Sequence, residues 1–219
     1  MRTDGCVTSL VTGIVEGLQP VSAGRPQPWV SAEGALTRLD DQALRELMVR
    51  YQRGDMEAFE GLYRHTLPMV RGYLSSMMRD RARVADLAQE SYLQLHVSRR
   101  TYDPSRPVRP WLLGIVRHVR LCDYRVRCRR VPEVRSLDAA PPAAALPSEL
   151  DHLADRDILV RALDELPVNR REVLVMHHLL GFSFREIAHV VGVSEGGARI
   201  RASRGIAQLR EVLGKAGGR

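Results

Sequence analysis

Residues 183–210 read SFREIAHVVGVSEGGARIRASRGIAQLR. Ser183 followed by Glu186 three residues later is the pairing of a capping box, so a helix starts here. Ile187, Ala188 and Val191 give that helix an inner face two to three turns long. Gly192 supplies a permissive turn, Val193 plugs the angle, and Ser194 caps a second helix. The layout is helix–turn–helix, which sets the second helix where it can lie in a major groove. Arg199, Arg201, Arg204 and Arg210 lie on the second helix, with Ile206, Leu209, Val212 and Leu213 as its buried stripe. Arginine forks suit guanine edges and phosphates. Gly196 and Gly197 in its first turn each cost about 1 kcal/mol against alanine, a cost that close approach to a DNA backbone would explain.

Outward from this motif the pattern stays helical. Leu153, Ile158, Leu159, Ala162, Leu163 and Leu166 keep helical spacing; Pro167 separates them from a helix over 168–180, which Gly181 ends before two shorter helices. These elements make a C-terminal module over 151–213, followed by a tail at 214–219. Ahead of it, residues 131–150 are dominated by proline and alanine and read as a flexible linker.

A second module spans 40–130. Leu44, Leu47, Met48 and Tyr51 define one helix; Asp55 caps a second carrying Ala58, Phe59, Leu62, Tyr63, Val70, Tyr73, Leu74 and Met77 to a break near Arg79-Asp80. A third holds Val84, Leu87, Ala88, Ser91, Tyr92 and Leu95 on one side. Pro104, Pro107 and Pro110 then force an extended loop over 102–110, and Pro110 sits in the first turn of a helix with Trp111, Leu112, Ile115, Val116 and Val119. Residues 1–39 lack periodicity and read as a disordered extension. Nothing alternates like a strand. The fold class is all-α: two helical domains on a tether.

The 219 residues carry a formal net charge of +7, with 44% hydrophobic and 27% charged residues, a balance that suits a soluble chain with an anionic partner. Between Arg99 and Arg130 stand ten arginines against two acids, Asp103 and Asp123, with Tyr102, Trp111 and Tyr124 among them. Arginines track phosphates while rings or a shaped loop hold an unstacked base, which is how single strands are gripped. Three cysteines make no disulfide framework. No apolar stretch approaches the ~20 residues that span a bilayer, and no secretory signal leads the chain, so no membrane insertion and a cytoplasmic setting are expected. His118, Cys122 and Cys128 lack a fourth ligand for a metal, and no cofactor motif appears. His177 and His178 point to different helix faces, one half-buried and one solvated. Without paired carboxylates, a nucleophile elbow or a phosphate-cradling loop, an enzyme is not expected.

Taken in order, the motifs resemble those of a bacterial extracytoplasmic-function (group IV) sigma factor of RNA polymerase, over about residues 40–213. Gly54-Asp55-x-x-Ala58-Phe59-x-x-Leu62-Tyr63 is similar to the first helix pair of sigma region 2. Asp86-Leu87-Ala88-Gln89-Glu90-x-Tyr92 resembles the signature of the helix that docks on the polymerase clamp coiled coil. Pro110-Trp111-Leu112-x-x-Ile115 resembles the segment after the promoter −10 loop. Leu166-Pro167-x-x-x-Arg171, Gly181-x-Ser183, Glu186-Ile187-Ala188 and Gly196-x-x-Arg199-x-Arg201-x-x-Arg204 resemble region 4.

The resemblance implies a chain that binds core polymerase (clamp coiled coil and flap) and promoter DNA, and is held inactive by an anti-sigma factor. Asp86, Leu87, Gln89, Glu90 and Tyr92 would bind polymerase. Tyr102, Arg106, Arg109, Trp111, Arg117, His118, Arg120 and Arg125 would hold the melted −10 element. Arg199, Ile200, Ser203 and Arg204 would face bases of the −35 element, with Arg201 nearer its backbone. His118 stands where the family usually has Asn, and Gly197-Ala198 replace a common Thr-Val pair. Two other classes fit the residues: a stand-alone helix–turn–helix regulator that binds duplex DNA without polymerase, and an interaction protein whose modules only dock partners.

Overall fold

The computed structural model describes residues 41–130 and 161–216. The expected N-terminal extension, the proline–alanine linker, the stripe positions Leu153, Ile158 and Leu159, and residues 217–219 of the short C-terminal tail lie outside them. Every regular element among the described residues is helical.

The first module is built from α1 (Asp41–Gln52), α2 (Met56–Met77), α3 (Arg81–Ser98) and α4 (Val108–Arg130), with a 3₁₀ turn at Arg99–Thr101. Asp55 accepts from the backbone N–H groups of Glu57 and Ala58 at the start of α2, and these bonds, with the Arg50 guanidinium, hold its carboxyl below the usual range. Asp80 caps α3 in the same way. Leu44, Met48 and Tyr51 of α1, Leu62, Tyr73 and Leu74 of α2, Leu87 and Leu95 of α3, and Leu112, Leu113 and Val116 of α4 close on one another as the core. Thr66 ties its hydroxyl to Leu62 O and meets the Tyr92 hydroxyl at 2.8 Å, so these two hydroxyls are paired inside the core.

The second module comprises a helical end over 161–164, α5 (Val168–Leu174) running into a π-turn (Val175–Leu179), α6 (Phe184–Val191) and α7 (Glu195–Ala216). The expected capping box is present: Glu186 N donates to Ser183 Oγ at 3.3 Å, and Ser183 N donates to Glu186 Oε2 at 2.8 Å. Gly192 adopts φ 76°, the left-handed turn that lets α7 leave α6 at an angle. Ser194 Oγ accepts from Gly197 N at 3.0 Å.

Three expectations are corrected here. The helix after Gly192 is not short: α7 runs 22 residues. Its core side begins with Ala198 and Ala202, 0% and 3% exposed, residues too small to announce a stripe. Neither His177 nor His178 is solvated. His177 Nδ1 lies 2.8 Å from Phe182 O and its ring stacks on Phe184, while burial pulls the His178 pKa down to about 4.

The larger correction concerns the two modules, expected to stand apart. Among the described residues they pack together, with α2 against α5 and α4 against α6, and share one buried cluster.

Candidate nucleic-acid interface

The helix–turn–helix presents its cationic residues outward. Burial of Ala198, Ala202 and Leu209 fixes the rotation of α7, and the opposite side leaves Arg199, Ile200, Ser203 and Arg204 exposed, with Arg201 half-buried beside them. Positions i, i+1, i+4 and i+5 make one contiguous row. Ile200 is 54% exposed, a large apolar group open to solvent. Arg199 is steadied by Glu195 at 2.6 Å and lies 5.1 Å from the centroid of the Phe184 ring, so its guanidinium is aimed before any ligand arrives. Gly205 sits where α7 crosses α5. A Cβ there would stand 2.9 Å from Leu174 Cδ1 and 3.2 Å from its Cγ, so a larger residue would have to push the Leu174 side chain aside.

On α3, Asp86, Gln89 and Glu90 are exposed whereas Leu87 and Tyr92 are buried, 3% and 5% exposed. The expected polymerase-binding set therefore divides. Three members can meet a partner directly; Leu87 and Tyr92 hold the helix in place. Leu93 and Val97, one turn apart on α3 and 59% and 66% exposed, extend the outward surface. Sequence reading missed them, although they are apolar and lie off the buried stripe.

The loop expected over 102–110 is shorter in the structure: residues 102–107 form a closed loop, and α4 already begins at Val108, so Arg109 and Pro110 lie in its first turn. Tyr102 is buried, 3% exposed, with its ring 5.0 Å from Trp111 and its hydroxyl donating to Arg106 O at 2.5 Å. Asp103 Oδ1 accepts from Ser105 N at 2.9 Å, which holds its carboxyl below the ordinary range. Residues 103–106 form the exposed tip. Tyr102, expected to face a base, is thus turned inward as a support, and Trp111 is partly buried beside it. Arg106, His118 and Arg125 are exposed.

The remaining arginines of that expected set are occupied. Glu172 of α5, 3% exposed, receives Arg120 Nη2 at 2.8 Å, Arg117 Nε at 3.2 Å and the Tyr73 hydroxyl at 2.5 Å. Burial opposes the Arg120 charge, but Tyr73 and Glu172 more than offset it, and the guanidinium is held above its ordinary range. Arg109 donates to Leu180 O at 2.8 Å and lies over the Phe182 ring. Arg106 lies 3.4 Å from His189. A second ionic cluster joins Arg79 to Asp164, which also receives Arg171 at 3.0 Å. Arg171, 1% exposed, additionally donates to Asp164 O and Leu166 O, which accounts for the Leu-Pro-x-x-x-Arg spacing: the arginine ties off the helix before Pro167. Arg120, expected on DNA, is 8% exposed and committed to Glu172 in this structure.

Both modules are similar to known proteins. Residues 62–130 match the family model for Sigma-70 region 2, and residues 156–209 match that for Sigma-70, region 4. The chain is 38% identical over 169 residues to the RNA polymerase sigma factor CarQ of Myxococcus xanthus, covering 77% of this chain and 96% of that relative. It is 29% identical over 147 residues to the ECF RNA polymerase sigma factor EcfG of Rhodopseudomonas palustris, covering 67% and 80%. Among solved structures, the sigma factor RpoE of Bartonella quintana, in complex with the anti-sigma factor NepR, superposes with a TM-score of 0.62 at 24% identity, covering 71% of this chain and 96% of that one.

Proposed function

This chain belongs to the sigma-70 family as an extracytoplasmic-function RNA polymerase sigma factor, and from that membership we propose how its own residues divide the work. Sigma factors are DNA-binding transcription initiation factors that bind core RNA polymerase and promoter DNA; the polymerase supplies the chemistry, and this chain supplies none. Residues 40–130 act as region 2 and 151–213 as region 4. Asp86, Gln89 and Glu90 of α3 meet the clamp coiled coil. The 103–106 tip receives a base unstacked from the −10 element, while Arg117, Arg120 and Arg125 neutralise the neighbouring phosphates. Arg199, Ile200, Ser203 and Arg204 read the −35 element in the major groove, with Arg201 on its backbone. The observation that carries this division is the exposed row on α7, whose rotation the buried alanines fix. The work is cytoplasmic, and among the described residues no helix is long and apolar enough to cross a membrane.

The packing of the modules adds a step. The −10 and −35 elements are centred on the order of 25 base pairs apart, ~85 Å at ~3.4 Å of rise each. A compact body of the described size is about 40 Å across. The modules must part before both elements are read, and parting frees Arg109, Arg117 and Arg120 for DNA. The packed form is the off state of the free chain. An anti-sigma factor, such as the one bound to RpoE, would act by keeping polymerase from opening it.

Run-off transcription with core polymerase, on promoters selected from random DNA by the reconstituted holoenzyme, tests the reading. Initiation that Arg199→Ala with Arg204→Ala abolishes supports it. Tight specific duplex binding by the isolated chain, unchanged by core polymerase, would favour the stand-alone regulator instead.

A further inference from the structure

We propose that Gln52, the last residue of α1, is a positioning residue for strand capture: it fixes the root of the 102–107 loop in the shape that receives the unstacked base. The inference rests on the reading of that loop given above. Both protons of the Gln52 carboxamide are committed, since Nε2 donates to Arg99 O at 2.8 Å and to Tyr102 O at 2.9 Å. These two carbonyls flank the 3₁₀ turn Arg99–Thr101, whose own closing bond from Tyr102 N to Arg99 O is long, at 3.4 Å. Thr101 Oγ1 donates to Ser98 O at 2.8 Å and steadies the start of the turn, while its stretched closing end is gripped from outside by Gln52.

Beyond the root the loop stiffens itself. The Tyr102 hydroxyl reaches Arg106 O at 2.5 Å, Arg106 N donates to Asp103 O at 3.0 Å, and Pro104 and Pro107 fix their own φ angles. A tip this rigid moves as a unit on its root, so a small rotation at Arg99–Tyr102 displaces the whole capture surface. The base of the brace is itself fixed, because Tyr51 meets His96 Nδ1 at 2.5 Å and pins the end of α1 to α3.

The residue type follows from the chemistry. Two carbonyls that converge on one atom require two N–H donors there, which a primary amide provides. A glutamate would set oxygen lone pairs against them, and a methionine would keep the length without a donor. Gln52 contributes nothing to the buried apolar cluster, where Leu44, Met48 and Tyr51 hold α1, so its loss leaves the helix packed. It also lies ahead of the region 2 match, which begins at residue 62.

The test uses holoenzyme reconstituted with full-length chain carrying Gln52→Met or Gln52→Glu, on a promoter selected from random DNA. Core-polymerase affinity and closed-complex formation should stay within twofold of the parent. Strand opening, read by 2-aminopurine placed in the −10 element, and affinity for a single-stranded −10 oligonucleotide should both fall about tenfold for Gln52→Met and further for Gln52→Glu, as expected when one or two hydrogen bonds of preorganisation are lost. Equal losses in closed-complex formation and strand capture would mean general destabilisation and overturn the inference; so would unchanged strand capture. Arg106→Ala with Arg109→Ala is the control. If that pair lowers strand capture and Gln52→Met does not, Gln52 alone is misassigned; if the pair leaves capture intact, the loop reading falls and the Gln52 inference with it.

Discussion

Glu172→Gln should undock the two modules without unfolding either. The carboxylate is 3% exposed and balances two guanidiniums while accepting from Tyr73. Removing one partner of a buried ion pair costs about 3–5 kcal/mol, because the remaining charge is stranded. Arg117, with 23% of its side chain exposed, can turn toward water; Arg120, at 10%, cannot while the modules stay packed. The low end, about 3 kcal/mol, is therefore the better figure, a shift of roughly 100-fold in the docking equilibrium. Undocking relieves the penalty by hydrating Arg120, so the cost falls on docking before it falls on folding. Small-angle scattering of the free chain should show a larger radius of gyration, and its affinity for a single-stranded −10 oligonucleotide should rise as the docked fraction drops. Glu172→Leu combined with Arg120→Met, which replaces the pair with apolar groups of similar volume, should restore the compact radius. An unchanged radius for Glu172→Gln, together with strand affinity within twofold of the parent, would refute the reasoning.

Charge reversal at Asp86 and Glu90 should weaken core-polymerase binding, measured by fluorescence anisotropy, with helicity by circular dichroism unchanged, since both side chains point away from the core. His178 predicts a pH dependence. Burial lowers its pKa from 6.5 to about 4, so above about pH 6.5 both folded and unfolded states are neutral there; as pH falls toward 4 only the unfolded chain takes the proton, and stability drops by up to about 3 kcal/mol. Thermal melts between those pH values should show that slope, and His178→Leu should flatten it. Gly205→Ala should destabilise by about 0–2 kcal/mol in denaturant titration, because the cost of the added methyl meeting Leu174 at 2.9 Å, about 1–3 kcal/mol, exceeds or offsets the ~1 kcal/mol gained by alanine in a helix interior.

Much of the fold was legible because its signals are local. Asp55, Ser183, Gly192 and Ser194 set helix ends through bonds or angles within a few residues, and each does so in the structure. The apolar stripes of α1 to α3 are likewise short-range patterns. The stripe from Ala58 to Met77 implies one helix through Pro68, and α2 runs through it, since the packing of Met69, Val70, Tyr73 and Leu74 outweighs one missing backbone bond. The docking of the modules was not legible. Tyr73 and Glu172 lie 99 residues apart, and nothing in either neighbourhood marks the other as its partner. An arginine-rich helix looks the same in sequence whether its charges face DNA or a buried carboxylate, so Arg117 and Arg120 were read as free. Gln52 escaped for a related reason: its partners are main-chain carbonyls, which carry no sequence signature.

The most direct test is energy transfer between dyes at Glu57→Cys and Glu211→Cys, with Cys6, Cys122 and Cys128 replaced by serine, in the free chain and then in holoenzyme on promoter DNA. High transfer in the free chain that collapses on promoter-bound polymerase, as region 4 moves off to an element ~85 Å away, is the expected result. High transfer in both states, with transcription intact, would contradict it.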